Sequence, residues 1–566
     1  MKKEGFTIVE LVIVIAVIAV LATVLVPAFG EIVERAKAAV EKQNERNESI
    51  SDLIDGILGT EPEKIPLQLT LTPETYLTVS RPETEKLSCA PGMVHYGDGR
   101  MAVAYLADDT NKIETEDSTT IVCRLGLFSL EDPENGEYID IATAGQTIGD
   151  MTIGSKAPYE PNLLKRSEAE LLILFNIRDT AGKYVYCCAR FDAETKRVTA
   201  YEKLKLDGSE WTPATIADSY NRLSERKISA AGPTGSMVFT SGIIRHEGWF
   251  YGYCGGVCDG FAGILVRSAD GVNWESVLTP EAAPEMEGVI ECGFDFFDGC
   301  IYLCVRDIKS GVYHTCYEWP GKEPVTPTEI LPGLTTSKPV TFRQDGSLYL
   351  IVNQETGDFN TVGRRNTALF YRINPRECSL TLVKRVFCKD GCAYHSVVNV
   401  NNTNYWCFHT DARRIEPFTQ GRSNLAFLEI PPLSEGAARD GTLELSGYVH
   451  CFAKGCITTS TTPQSWQSNA VNYHYQIPLS DFADFDNVTV TANGKQKAYI
   501  AFFTKQMTTD KTIAFAEGWS EVLILNPGAS VTLEIPNDAA YLYILNNNGA
   551  GDSLLPQQVV FGRKDS

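Results

Sequence analysis

Charged residues recur at one kind of place in this chain, at the ends of short apolar runs. Asp108 and Asp109 follow "RMAVAYLA", Arg178 and Asp179 follow "LLILFNI", and Arg306 and Asp307 follow "IYLCV". His409, Asp411 and Arg413 follow "NYWCF" in the same way. Glu160, Glu291, Lys338 and His395 stand at or near the starts of the runs that come before. Two carboxyl groups facing one cavity can share the cleavage of a glycosidic bond, one protonating the leaving oxygen while the other attacks or activates water. Arginine forks hold a carboxylate through two parallel hydrogen bonds, so arginines beside such a pair suit an acidic sugar. On this chemistry Glu160, Asp179, Glu291 and Asp307 are the candidate catalytic acids. Arg178, Arg306, His395 and Arg413 are the candidate ligand-binding residues. The alternative is that these charges pair with one another and close strand ends around a solvent-filled channel.

Such residues meet only if the strands that carry them converge. Six segments share a pattern of short apolar strand, polar turn and second strand rich in aromatic and β-branched residues. They are "SCAPGMVHYGDGRMAVAYLADD", "YEPNLLKRSEAELLILFNIRD", "MVFTSGIIRHEGWFYGYCGG", "VIECGFDFFDGCIYLCVRD", "TSKPVTFRQDGSLYLIVNQ" and "GCAYHSVVNVNNTNYWCFHTD". Their starts recur roughly every 45 to 80 residues, the size of a four-stranded propeller blade with its loops. The expectation is a mainly β protein with a six-bladed β-propeller over residues 85–448, five or seven blades remaining open. In a blade, the start of the first strand and the end of the second lie at one face near the axis, which would gather the residues named above.

One turn is more specific. "RSADGVNWESV" holds Ser268, Asp270, Gly271 and Trp274, in which Asp and Gly shape a bend and Trp packs beneath it. It resembles the Asp-box turn of sialidase-type propellers, shortened by one residue, and marks a fold rather than a catalytic site. The resemblance to sialidase-like and BNR-repeat glycosidases spans about residues 85–432. It implies a carboxylate-binding arginine set, for which Arg178, Arg306 and Arg413 are available. The Arg-Ile-Pro motif of that family has no counterpart in this chain.

The first sixty residues pose a separate problem. Leu11 to Gly30 carries no charge, and twenty residues at about 1.5 Å each make a helix of roughly 30 Å, the thickness of a bilayer core. Lys2 and Lys3 precede it, so the positive-inside bias leaves the N-terminus cytoplasmic and sends the rest outward. Apolar residues continue at helical spacing through Ile32, Val33, Ala36 and Val40 to Ile54 and Leu58. An acid, Glu10, sits at the edge of the run, and Pro27 interrupts it.

"KKEG" followed by "FTIVELVIVIAVIAVLATVLVPAF" resembles the type IV pilin and pseudopilin family. The resemblance implies cleavage by a prepilin peptidase between Gly5 and Phe6 and N-methylation of Phe6. It also places the family's docking glutamate on Glu10, which would neutralise the amino terminus of a neighbouring pilin-like subunit. The expected layout is a leader (1–5), a long helix (6–60) with its membrane segment (11–30), a linker with a first strand (61–84), and the propeller. From residue 449 to 566, alternating apolar and polar residues between Gly, Asn and Pro turns read as a jelly-roll-like β-sandwich. Trp466, Trp519, Tyr541 or Tyr543 could stack on sugar rings there, or serve as core.

A net charge of −22 without a basic cluster beyond Lys2 and Lys3 argues against nucleic acid as a partner. The close cysteine pairs, such as Cys300 with Cys304 and Cys388 with Cys392, lack the further ligands of a zinc site and read as buried thiols or disulfides. No cofactor or metal is expected. The function expected is that of a minor pilin-like protein, membrane-anchored and presenting a glycan-binding or host-surface-binding head at the cell surface or on a pilus-like filament. A membrane-anchored sialidase-like glycoside hydrolase and a structural envelope component are the alternatives.

Overall fold

The structure, a computed structural model, describes most of residues 68–562. Outside the described residues lie 1–67, the longer segments 110–119, 229–236, 257–262, 355–366, 411–422, 434–441, 445–455, 458–465, 468–473, 506–512 and 547–557, and shorter stretches between them. The expected membrane segment (11–30) therefore lies outside the described residues. Within the described residues no helix is long and apolar enough to cross a membrane.

Near-continuous apolar runs become strands buried on both faces, because a blade is covered by a neighbour on each side. Met101–Asp108 and Leu171–Ile177 are buried at every position. Six sheets follow one another along the chain. Blade A comprises Leu87–Gly97, Arg100–Asp108, Val122–Ser129 and Glu137–Thr143. Blade B comprises Tyr159–Lys165, Glu170–Arg178, Tyr184–Asp192 and Arg197–Lys203. Blade C is built on Met237–Phe239, Trp249–Gly256, Gly263–Ser268 and Asn273–Leu278, with Ile244–His246 beside the second. Blade D comprises Val289–Phe297, Cys300–Asp307, Gly311–Glu318 and Glu329–Leu331. Blade E comprises Leu334–Gln344, Ser347–Gln354, Thr367–Asn374 and Ser379–Cys388. Blade F comprises Ala393–Val400, Thr403–His409 and Leu425–Glu429. The six segments quoted above coincide with the first two strands of these sheets.

Neighbouring blades contact one another through their inner strands, and Ala393–Val400 of blade F lies against Leu87–Gly97 of blade A. The sheets thus form a ring, with apolar clusters between successive blades. The stretch read as linker and first strand closes it. Gln68–Leu71 adds to blade E in parallel, with Gln68 opposite Arg385. Leu77–Thr78 then becomes the fourth strand of blade F, with Leu77 opposite Phe427. A bond from the Ser88 amide to the Ser423 carbonyl (3.0 Å) ties the entry of blade A to blade F.

One element departs from the strand-only reading of this region. Pro213–Leu223 is a helix, started by Thr212 as N-cap with proline in the first turn. It buries Ile216, Ala217 and Tyr220 in the apolar cluster shared with blades B, C and D.

The C-terminal part pairs two four-stranded antiparallel sheets. One contains Thr442–Glu444, Gln558–Gly562, Asn487–Thr491 and Ser530–Glu534, the other His474–Pro478, Tyr541–Asn546, Ala498–Phe503 and Leu523–Leu525. Alternate residues, among them Val488, Val490 and Phe561 from the first sheet and Ile500, Phe502 and Ile544 from the second, fill the space between. The sandwich takes Thr442–Glu444 from the range assigned above to the propeller. The same apolar cluster continues into Val312, Leu348 and Leu350 of blades D and E.

Candidate functional site at the ring mouth

Inner strands are bulged near their starts, all at the same end of the ring. The pairing register shifts between Cys89 and Gly92 in blade A, at Leu174/Asn176 against the inner strand of blade B, and between Val289 and Glu291 in blade D. It shifts again between Thr335 and Val340 in blade E and between Ala393 and Ser396 in blade F. Bulges redirect side chains and cluster beside functional sites. Two of these irregular stretches put a non-glycine residue at positive φ, Lys338 (63°) and Tyr394 (51°). Each costs about 1–2 kcal/mol, which the surrounding pairing must offset.

The charged residues of blade D are assembled by this geometry. The register sets Glu291 opposite Arg306 and Val289 opposite Asp307. Glu291 is buried and accepts a bond from Arg306 Nη1 at 2.9 Å and one from the Lys338 backbone amide at 2.7 Å. Asp307 and Lys338 are buried as well. Two acids and two cations thus share one end of the D–E seam. Arg306 retains 22% side-chain exposure, so part of its fork can meet an incoming acceptor. At the opposite end of the seam, Arg343 grips Asp295 at 3.0 and 2.8 Å. Between the two ion pairs stands Gly293, where a Cβ would come within 2.7 Å of the Pro339 carbonyl. Only glycine lets the two inner strands approach this closely.

Blades E, F and A supply the rest of the mouth. Asn353 Nδ2 donates to the Cys392 carbonyl at 2.8 Å, joining blade E to the start of blade F. His395 Nδ1 accepts from Trp406 Nε1 at 3.2 Å, which places the ring proton of the neutral imidazole on Nε2. His409 packs on Tyr394, with ring centroids 4.8 Å apart. Asp108 accepts from the Thr120 hydroxyl at 2.6 Å. Glu85, between the closing strand and blade A, is buried and takes bonds from Ser88 (2.6 Å), Tyr105 (3.0 Å) and Arg124. Burial, and then the adjacent Glu85, push the Tyr105 phenol well above its usual range. Arg124, which also donates to Asp140 at 2.6 Å, is desolvated, yet the two carboxylates raise its pKa.

The structure thus brings Glu291, Arg306 and Asp307 together, with Lys338 beside them. Arg178 and Asp179 occupy the corresponding end of blade B. Arg178 lies 5.7 Å over the Tyr184 ring, its Nε buried without a hydrogen-bond partner among the described residues. Asp179 caps its own turn, accepting the Lys183 amide at 2.7 Å. Glu160 lies on Tyr159–Lys165, but its side chain is outside the described residues. Asp411, Arg413, Gly5, Phe6 and Glu10 are outside them entirely.

Two features escaped the sequence reading. One is the Glu85 group, which lies outside the repeat and pairs with residues up to 39 positions away. The other lies on the D–E seam, where Cys378, at φ 49°, points its sulfur at His314 Nδ1, 3.8 Å away. A hydrogen bond from Cys316 lowers the Cys378 thiol below its usual range against the opposing effect of burial, and His314 adds to the lowering. The remaining cysteines whose side chains are described are also buried.

The Asp-box turn of blade C is built from its own side chains. Asp270 Oδ1 accepts the Val272 and Asn273 amides, each at 2.8 Å, and the Ser268 hydroxyl donates to the Asn273 carbonyl at 2.5 Å. Trp274 Nε1 donates to the Gly271 carbonyl at 3.0 Å, and its ring packs edge-on against Trp211. The turn secures blade C against the preceding strand and helix and takes no part in the mouth.

Residues 1–26 match the prokaryotic N-terminal methylation motif. No curated protein matches the chain as a relative. Among solved structures, it is similar to a Trypanosoma rangeli sialidase in complex with sialic acid, at 10% identity and a TM-score of 0.43, over 89% of this chain and 93% of that one. It is also similar to the intramolecular trans-sialidase from Ruminococcus gnavus, at 11% identity and a TM-score of 0.39, over 62% and 96%. A third is the Bombyx mori GH32 β-fructofuranosidase, at 11% identity and a TM-score of 0.34, over 92% and 98%.

Proposed function

We propose that this protein is a minor pilin-like surface subunit that displays its β head for glycan binding outside the cytoplasm. The observation that carries this reading is the N-terminal methylation motif over residues 1–26, placed ahead of a ring whose mouth gathers Glu291, Arg306, Asp307 and Lys338. A prepilin peptidase cuts after Gly5, Phe6 becomes the methylated terminus, and residues 11–30 hold the chain in the membrane. Glu10, costly in lipid when alone, is offset by the new ammonium of a neighbouring pilin-like subunit. At the mouth, Arg306 with its partly exposed fork binds an acidic sugar, with Arg178, His395 and Arg413 as further contacts.

The test uses the full-length protein extracted from membranes. Mass spectrometry should find residues 1–5 missing and Phe6 methylated. A glycan array should retain sialylated glycans, and Arg306→Ala should weaken that binding about tenfold. Met1 still attached in cells that possess the peptidase would sink the pilin reading, and an empty array the glycan reading. Because Glu291 and Asp307 supply two buried acids, an aryl-sialoside assay accompanies the array. Turnover abolished by Glu291→Gln or Asp307→Asn would make the head a hydrolase, with Glu160 and Asp179 the other acids to test.

A further inference from the structure

We infer that Cys316 of blade D and Cys378 of blade E are a disulfide-forming pair, oxidised by exchange with an external disulfide so that a covalent bond staples the two blades. The pair is brought together by register. His314 and Cys316 lie two residues apart on Gly311–Glu318, so both face the same side of blade D, opposite Cys304 and Tyr302 of the neighbouring strand. That side is turned toward blade E, since Cys304, Cys316 and Cys378 share one buried apolar cluster with Leu348, Leu350 and Leu369. From blade E, the turn between Thr367–Asn374 and Ser379–Cys388 brings in Cys378, whose sulfur stands 3.8 Å from His314 Nδ1. Cys316 donates a hydrogen bond to that same sulfur, and Thr326 a further one. Three groups of blade D thus converge on one sulfur of blade E.

The turn that carries Cys378 is also tied to blade D. Arg376 Nη2 donates to Asp298, in the first hairpin turn of blade D, at 2.9 Å, and Arg376 Nε donates to the other carboxylate oxygen. Asn374 Oδ1 accepts the Arg376 amide at 3.2 Å. Folded blades already hold the two sulfurs as neighbours, so joining them costs the native state little, whereas the unfolded chain loses the freedom of the whole loop 316–378.

The exchange balances with these two thiols and one external disulfide. Cys378 is the more acidic and retains 7% exposure, against none for Cys316. As thiolate it attacks one sulfur of a small-molecule or oxidoreductase disulfide, forming a mixed disulfide and releasing the first thiol. Cys316 then gives up its proton and attacks the Cys378 sulfur, and the second thiol leaves. The external disulfide is reduced to two thiols, which take up the two cysteine protons, and Cys316 and Cys378 are oxidised to one disulfide. The location proposed above supplies such partners, because disulfides persist outside the cytoplasm, but the chemistry itself requires only the two thiols.

The full-length protein in detergent would be equilibrated with excess oxidised glutathione, quenched with acid, alkylated in denaturant and digested without reductant. Peptide mass spectrometry should find Cys316 linked to Cys378, and excess dithiothreitol should release both as thiols. Cys378→Ala should abolish the linkage and leave Cys316 alkylated. Should that variant fail to fold, the parent still decides, because mapping its linkage needs no substitution. Both thiols still free, glutathione on Cys378 with Cys316 unlinked, either cysteine joined to Cys300 or Cys304 instead, or a linkage formed only when the oxidant is added in denaturant would overturn the inference.

Discussion

Glu291 Oε2 of blade D accepts both the backbone amide of Lys338 of blade E at 2.7 Å and Arg306 Nη1 at 2.9 Å. A residue at positive φ on one strand is thus fixed by a buried carboxylate on the next. Removing one partner of a buried pair costs more than the pair is worth, because the other is left uncompensated. Glu291→Ala should destabilise the head by about 2–4 kcal/mol, less than a fully buried pair because Arg306 can reach water. Glu291→Gln keeps an acceptor for the amide and should cost about half. Calorimetric melting of the three proteins checks the order; equal melting temperatures for parent and Glu291→Ala would show that the bond does not hold the seam.

Asp270 should make the acid limb of stability steeper. Burial opposes its ionisation, but bonds from Asn273, Val272 and Ser268 outweigh that and hold the carboxyl at about 2. An unfolded aspartate titrates near about 3.9. The folded value is depressed, so the contribution is complete above about pH 4 and is lost as pH falls through about 2. Discounted for solvent screening, it is on the order of 1 kcal/mol. Acid unfolding of Asp270→Asn, followed by circular dichroism, should start from a lower plateau and fall less between these limits. An acid transition parallel to the parent's would show that the turn contributes no such dependence.

Cys378 should be more acidic than the buried thiols Cys187 and Cys188, which burial pushes up to about 12. The first step in thiolate ultraviolet absorbance should come at lower pH than an ordinary buried thiol gives, and this step should vanish in Cys378→Ser. Cys316→Ala, which removes the principal donor, should move the step upward. An absorbance profile of Cys378→Ser identical to the parent's would count against the assignment.

The inner hairpins were legible because they carry two signals at once, a buried second strand and a polar turn. "CGFDFFDGCIYLCVRD" shows both, and its register sets Glu291 opposite Arg306 without help from other blades. The Asp-box turn was legible for a similar reason, since Ser268, Asp270 and Trp274 find their partners within six residues. What was hidden comes from neighbouring blades. Lys338 was read as a charge, yet it meets Glu291 through its backbone, because a bulge turns the amide outward. His395 was read as a ligand, and its Nδ1 is engaged by Trp406. The helix Pro213–Leu223 was passed over because only Ile216, Ala217 and Tyr220 carry its apolar face, too few to stand out among strands.

The strands Gln68–Leu71 and Leu77–Thr78 both close the ring and follow directly on the N-terminal segment along the chain. Any pull on the chain ahead of Gln68 enters the ring through these few backbone pairs. Such a pull would first strip Gln68–Leu71 from the edge of blade E and then Leu77–Thr78 from blade F, opening the ring at its closure before the remaining blades were loaded.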